Sequence, residues 1–177
     1  MPLRKSTLRS MIASAMMTAL AIVLPMAFHA VGLGSKFLPM LLPLLLNGFL
    51  STWPWAILSA AIAPWLSAVL TGMPPIYPPM ALVMSCEAIV LAGVASLLYH
   101  TTKRHIWPAL LTAILLSRGI DFLLMWMLAP QFHLPGALAA ALAIAGGLPG
   151  VILQLVLVPL ILKGLEHRRS LLLDERK

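Results

Sequence analysis

Apolar residues run along this chain in blocks of about twenty, broken by short clusters of proline, glycine and charge. The blocks cover roughly 10–28, 37–50, 56–70, 80–99, 106–129 and 148–165. About 20 consecutive apolar residues are needed for a helix to cross the hydrocarbon core of a bilayer. The pattern predicts an all-α integral membrane protein of about six transmembrane helices, with no strand and no soluble domain.

The blocks differ in ways that carry information. Span 1 is rich in small residues, and Ala15 and Ala19 form a small-xxx-small pair that lets a neighbouring helix approach closely, either within this bundle or on a partner. Pro25 lies near its end and is a candidate kink. The following loop, His29 to Lys36, contains Gly32 and Gly34 and is suited to tight turns. Span 2 contains Pro39, Pro43 and Asn47, so it is expected to be short and irregular, which membrane depth tolerates only where backbone is buried in protein or lines a cavity. Trp53-Pro54-Trp55 reads as an interfacial turn with aromatic anchors. Thr71-Gly72-Met73-Pro74-Pro75-Ile76-Tyr77-Pro78-Pro79 cannot continue a helix and carries no charge, so it is either a stiff connector or a lid over a cavity. The last apolar stretch, Gly136 to Leu162, exceeds one span, and Gly146-Gly147-Leu148-Pro149-Gly150 is expected to break it into a short first part and span 6.

Composition agrees: 61% of residues are hydrophobic and 10% charged, against about 45–50% and about 25% in soluble domains. Cys86 is the single cysteine, which excludes an intrachain disulfide and argues against a cysteine metal site. The start of the chain has a basic patch before an apolar run, like a signal peptide. The run is longer than an ordinary h-region, however, and Ala27-Phe28-His29-Ala30 is a poor cleavage site, so it is read as a retained first span. The net charge of +7 does not point to nucleic acid once its distribution is considered. With six spans, ten of the twelve Lys and Arg residues fall on one side: Arg4, Lys5, Arg9, Lys103, Arg104, Lys163, Arg168, Arg169, Arg176 and Lys177. The positive-inside rule makes that side cytoplasmic and both termini internal. The organisation is then a basic cytoplasmic N-terminus (1–9), a six-helix membrane domain (10–165) and a charged cytoplasmic tail (166–177).

Three ionisable residues lie deep in apolar blocks: Glu87 in span 4, and Arg118 and Asp121 in span 5. A charge at bilayer depth costs roughly 2.5–3.5 kcal/mol even on the lenient insertion scale, so such residues pair and mark functional sites. Arg118 and Asp121 share a helix face, although Arg118 can equally face Glu87. Glu87 and Asp121 both fall roughly 12 Å below the outer face at 1.5 Å rise per residue, beneath three outer loops. The group suits a pocket open to the outside that binds a polar small molecule, with interhelical structure and proton relay as the other readings. Asn47 joins the candidate binding residues, with Met73 and Tyr77 of the proline loop. His29 and His133, at outer loop edges, are ligand contacts or ordinary solvated histidines, and Gln154 reads as interhelical glue. The eleven methionines show no repeated metal-binding spacing and suit irregular packing. The chain has no P-loop, no His-Glu-x-x-His and no Gly-x-Ser-x-Gly, so no ATP hydrolysis, metal or cofactor is expected.

Several stretches taken in order resemble the substrate-binding S components of energy-coupling-factor (ECF) vitamin transporters. They are Phe28-His29-Ala-Val-Gly32-Leu-Gly34 leading to Phe37-Leu38-Pro39-Met40-Leu-Leu-Pro43, Leu70-Thr71-Gly72-Met73-Pro74-Pro75, Met84-Ser-Cys-Glu87, Leu116-Ser-Arg118, and Leu148-Pro149-Gly150-Val-Ile-Leu-Gln154. The resemblance spans roughly 10–165. It implies an S-component-like bundle in a bacterial cytoplasmic membrane. Such a subunit captures a vitamin or precursor outside and associates with a transmembrane T subunit and two ATPases. It places Ala15 and Ala19 against the T subunit, and Glu87, Arg118 and the Gly72–Tyr77 lid at the site. One departure is Leu41, which stands where relatives often have a histidine after Leu-Pro-Met, so either the substrate differs or His29 substitutes. Competing readings are a stand-alone proton-coupled carrier, a structural membrane subunit, and an intramembrane enzyme. The last is weakened because His29, His100, His105 and His133 lie near span ends, away from the acids.

Overall fold

The computed structural model describes residues 5–30, 32, 37–77, 79–102, 105–133 and 135–174. Gly34 and Lys36 of the first outer loop, Lys103 and Arg104 of the basic turn, Arg4, Pro78, Arg176 and Lys177 lie outside the described residues. Six α-helices follow one another: α1 (Lys5–Ala30), α2 (Leu41–Leu50), α3 (Trp53–Thr71), α4 (Met80–Thr101), α5 (Ile106–Leu128) and α6 (Gly136–Asp174), with a 3₁₀ turn at Ala129–Phe132. Among the described residues there is no strand. Five of the helices are long and apolar enough to cross a membrane, and α2 is the shorter sixth. The all-α membrane bundle expected from the hydropathy blocks is therefore the fold.

The helices alternate in direction. Ser10 near the start of α1 meets the end of α2 through Thr52, and Ser96 and His100 at the end of α4 reach the Ser51 carbonyl. At the opposite end, Pro25 and His29 of α1 share a cavity with Leu38–Met40 before α2, Met73–Pro75 after α3, and Met80 of α4. On the orientation that the basic-residue asymmetry predicts, the Ser51 end is the cytoplasmic one and the cavity end the outer one.

Helix α2 is the pillar of the bundle. Its positions Leu41 to Phe49 are all buried, and α1, α3, α4 and α6 pack around it. Ten residues at 1.5 Å each reach only about 15 Å, half the hydrocarbon thickness. The shortness is tolerated because α2 faces protein on every side. Gly48 makes its closest contact: a Cβ there would stand 2.7 Å from the Ala92 carbonyl oxygen and 3.0 Å from the Ala95 Cβ of α4. The outer surface is apolar in turn, with Ile12, Met16, Leu20 and Val23 exposed along α1 and Ile62, Trp65, Leu66, Val69 and Leu70 along α3. In water such a surface would be an association hazard, whereas in a bilayer it is the solvated face.

Asn47, expected among the binding residues, lies instead in a buried polar network toward the cytoplasmic end. Its Oδ1 accepts from Ser51 Oγ at 2.7 Å and Ser14 Oγ at 3.0 Å, and Ser51 Oγ also reaches the Ser10 carbonyl at 3.2 Å. The network ties α1 to α2. A second thread, Thr18 to Ser59 at 2.6 Å, ties α1 to α3. Interhelical hydrogen bonds of this kind are the available glue where lipid removes the hydrophobic drive between helices.

Three boundaries depart from the sequence reading. Trp53 and Pro54 open α3 rather than forming a turn before it, with Pro54 in the first turn, where its missing N–H is not needed. Helix α6 runs unbroken through Gly146–Gly150 and on into the charged tail as far as Asp174. The glycines there give a smooth face for close approach: a Cβ at Gly150 would stand 2.6 Å from the Phe37 carbonyl oxygen. Within the stretch that looked like a break, Gly147 and Gly150 are thus contact points of a continuous helix.

Gly48→Ala should lower the thermal midpoint of the purified protein by several degrees, since overpacking against backbone costs about 1–3 kcal/mol. Gly164→Ala, with nothing within 4 Å of its Cβ position, should leave the midpoint unchanged or raise it slightly. Equal midpoints for the two variants would contradict the α2–α4 contact.

Candidate functional site

Two features meet at the outer end of the bundle: a charged cluster between α4, α5 and α6, and an apolar cavity above it. The cluster is built on helix periodicity. Arg118 and Asp121 are one turn apart on α5, and Arg118 Nη1 lies 3.6 Å from Asp121 Oδ2. The other guanidinium nitrogen, Nη2, forms an ion pair with Glu87 Oε1 across to α4. The guanidinium therefore answers both acids at once, and the choice between partners left open by the sequence resolves into a triad. Glu87 is 3% exposed and Asp121 6%. The pocket expected to open directly onto these groups is instead roofed over.

The roof can be named. A Cβ at Gly147 of α6 would stand 2.8 Å from Arg118 Nη1 and 2.9 Å from Leu38 Cδ1. A side chain at this point would require the flexible ends of Arg118 and Leu38 to shift. Leu38 in turn lines the cavity, so its side chain borders both the cavity and Gly147, against which Arg118 also lies. Its backbone is left-handed, with φ +46°, a region that disfavours residues bearing a Cβ. Gln154, seven residues below Gly147 and so on the same face of α6, is buried within the bundle.

The cavity has a volume of about 350 Å³. Pro25 and His29 of α1, Leu38, Pro39 and Met40 before α2, Met73, Pro74 and Pro75 after α3, and Met80 and Met84 of α4 form its wall. The Thr-Gly-Met-Pro-Pro stretch earns its shape locally. Gly72 closes α3 with φ +74°, a conformation glycine adopts without penalty. Ser67 Oγ then donates to the Met73 carbonyl at 2.7 Å, and the Met73 N–H donates to Thr71 Oγ1 at 3.3 Å. These bonds turn the proline segment inward over the cavity mouth. On the α1 side, Phe28 and Phe37 rings meet at 5.9 Å.

Of the residues singled out from sequence, Glu87, Arg118 and Asp121 come together, and His29 and Met73 line the cavity above them. Tyr77 is 81% exposed and does not line the cavity, and Asn47 belongs to the network described above. His133, with φ +59°, is exposed at the end of the 3₁₀ turn. Sequence reasoning missed Leu38, Met40, Met80, Met84 and Gly147. For the last, the Gly146-Gly147 pair inside an apolar block was a signal, since small residues at membrane depth mark close contact. Among the described residues no group of three or more His, Cys, Asp or Glu is arranged to hold a metal ion.

A separate groove of about 490 Å³ runs between α1 and α3, and Ala15, Ala19, Thr18 and Ser59 are among its lining residues. It opens on the apolar exterior, where Leu58 and Ile62 are exposed.

Comparison with curated proteins and with solved structures finds no match. Residues 9–162 match the sequence model of the family described as ECF transporter, substrate-specific component. The match reaches into all six helices and takes in the cavity wall, Leu38 and the charged triad together. On that evidence the chain belongs to the family of ECF transporter substrate-specific components, a family of transport subunits and not of enzymes.

Proposed function

We propose that this substrate-specific subunit sits in a bacterial cytoplasmic membrane and captures a small water-soluble molecule, a vitamin or vitamin precursor, from the outside. The observation that carries this reading is the cavity at the outer end, walled by His29 and the Met73–Pro75 segment, directly above the buried Glu87–Arg118–Asp121 cluster. Family membership supports a small substrate. The volume of about 350 Å³ suits one of vitamin size or smaller. Glu87, Arg118 and Asp121 supply charge-assisted hydrogen bonds, which are shorter and stronger than neutral ones. His29 and Met73 contact the substrate from above, and Tyr77 and Asn47 act only indirectly.

Uptake against a gradient needs energy that this chain has no P-loop to supply. A transmembrane T subunit and two ATPases are the partners that the family implies. The groove lined by Ala15 and Ala19 supports α1 and α3 as the face that meets the T subunit, since small residues in an exposed groove let a foreign helix approach.

Native mass spectrometry of the protein purified in mild detergent should reveal a stoichiometric adduct of vitamin-like mass, present before or after incubation with a vitamin panel. No adduct in either condition would sink the capture reading. Arg118→Ala should weaken binding of that ligand by about tenfold to a hundredfold. Because it also leaves two acids unpaired, the double variant Glu87→Gln/Arg118→Gln should be measured beside it by equilibrium binding. A monodisperse double variant with native affinity would remove the triad from the site. Ala19→Trp should fill the α1–α3 groove and abolish co-purification of the T subunit while leaving ligand affinity unchanged, and undiminished co-purification would place the interface elsewhere.

A further inference from the structure

Provided that the cavity is the substrate site, the group standing behind its wall says what the inner end of the substrate carries. Leu38 borders the cavity, and its Cδ1 lies 2.9 Å from the point where a Cβ at Gly147 would stand. Arg118 Nη1 lies 2.8 Å from that same point. The polar group behind the tip of Leu38 is therefore the guanidinium. What stands in front of it is the far end of a flexible side chain, which moves by changing rotamer rather than by shifting backbone.

Arg118 has one arm in use and one to spare. Nη2 is paired with Glu87 Oε1. Nη1, the arm beside Gly147, has Asp121 Oδ2 at 3.6 Å, too long for a hydrogen bond, and no hydrogen bond joins it to another described residue. A guanidinium carries five N–H donors and no acceptor, so the spare arm calls for an acceptor. It does not call for charge, because two buried carboxylates already outnumber the one cation. A third anion would be held against Glu87 and Asp121, where a low dielectric strengthens repulsion. A cation would meet the guanidinium itself. An uncharged carbonyl oxygen accepts from Nη1 and adds no charge to the cluster. On the cavity side, Met40, Met73, Met80 and Met84 line the wall, and thioether sulfur makes favourable contacts with aromatic rings.

We propose that the substrate presents an uncharged hydrogen-bond acceptor, a carbonyl on a ring, at its inner end. The ring lies among the methionines. Leu38 swings aside as a gate, and the carbonyl oxygen accepts from Arg118 Nη1. Glu87 keeps Nη2 and so holds the spare arm in place.

Benzamide, benzoate and benzylamine share a ring and differ in the group it carries: a neutral carbonyl, an anion and a cation. Equilibrium binding to the full-length purified protein at neutral pH should rank benzamide about tenfold tighter than either of the others. Arg118→Lys keeps a positive charge beside Glu87 and removes the spare arm, so it should erase benzamide's lead. Leu38→Ala, which leaves the ion pairs in place, should speed benzamide association severalfold, and Met84→Ala should weaken all three probes alike. Benzoate or benzylamine binding as tightly as benzamide would overturn the uncharged acceptor. An Arg118→Lys protein that keeps the ranking would remove Arg118 from the contact, and unchanged association in Leu38→Ala would overturn the gate. Each of these failures leaves the cavity standing as the substrate site. If none of the three probes binds, the adduct found by native mass spectrometry takes their place. An adduct without an uncharged carbonyl, or one held as tightly by Arg118→Lys, overturns the proposal, whereas a carbonyl-bearing adduct weakened by that variant supports it. No adduct of any kind would remove the cavity itself and the proposal with it.

Discussion

Everything at the outer half of this bundle depends on one guanidinium. At membrane depth Arg118 has no water to turn to, and either acid alone would leave the other buried without a counter-charge. Contact with Glu87 on α4 and with Asp121 on its own helix makes the arrangement tolerable. It also fixes how α4 and α5 meet, because a one-turn slip of either would separate the charges by about 5 Å. Gly147 on α6 lies beside the same guanidinium, so the third helix approaches it with no side chain between them. The guanidinium thus joins three helices, and the cavity beyond it is enclosed by α1, the start of α4 and the segments before α2 and after α3.

The cytoplasmic half is held by different means. No charge is buried among Ser10, Ser14, Asn47, Ser51 and Ser96, and hydroxyl and amide groups do the joining. Such bonds are individually modest in a membrane, averaging about 0.6 kcal/mol in measured cases. Helix α1 relies on them, since much of its surface, including Met16 and Val23, faces outward. The result is a bundle with a core of α2, α4 and α5 and a more lightly fastened α1, whose small-residue groove with α3 lies on the outer surface.

How much of this was legible in the sequence varied with the physics behind each signal. Hydropathy reports burial in lipid or protein without distinguishing them, so the spans were readable while the full enclosure of α2 was not. The cost of an intramembrane charge is large enough to single out Glu87, Arg118 and Asp121, and the structure brings these three together. Asn47 was misjudged because a polar residue in an apolar block looks the same whether it meets a substrate or a neighbouring serine; only the helix positions decide. The break expected at Gly146–Gly150 failed because glycine and proline were weighed by their helix propensity, whereas close packing against Phe37 and Arg118 decides their use here. The methionines were read as packing material, and four of them turn out to form much of a cavity wall. Nothing in their spacing announces this, since they come from three separate segments.

The continuity of α6 has a geometric consequence for the whole molecule. Its uncharged portion, Gly136 to Leu162, is 27 residues long, about 40 Å of helix against a hydrocarbon layer about 30 Å thick. An upright rod of that length would leave about 10 Å of greasy stem in the headgroups or beyond. Leaning the rod removes this mismatch, as overlong spans commonly do. Because α6 packs along α5, a lean in one is shared by its neighbour. Helix α5 packs in turn along α4, which brings Met80 and Met84 to the cavity wall, so a lean is passed toward the cavity through that contact. The length of a single helix, set by where its first lysine falls, thus becomes an instruction about the attitude at which the protein meets incoming solute.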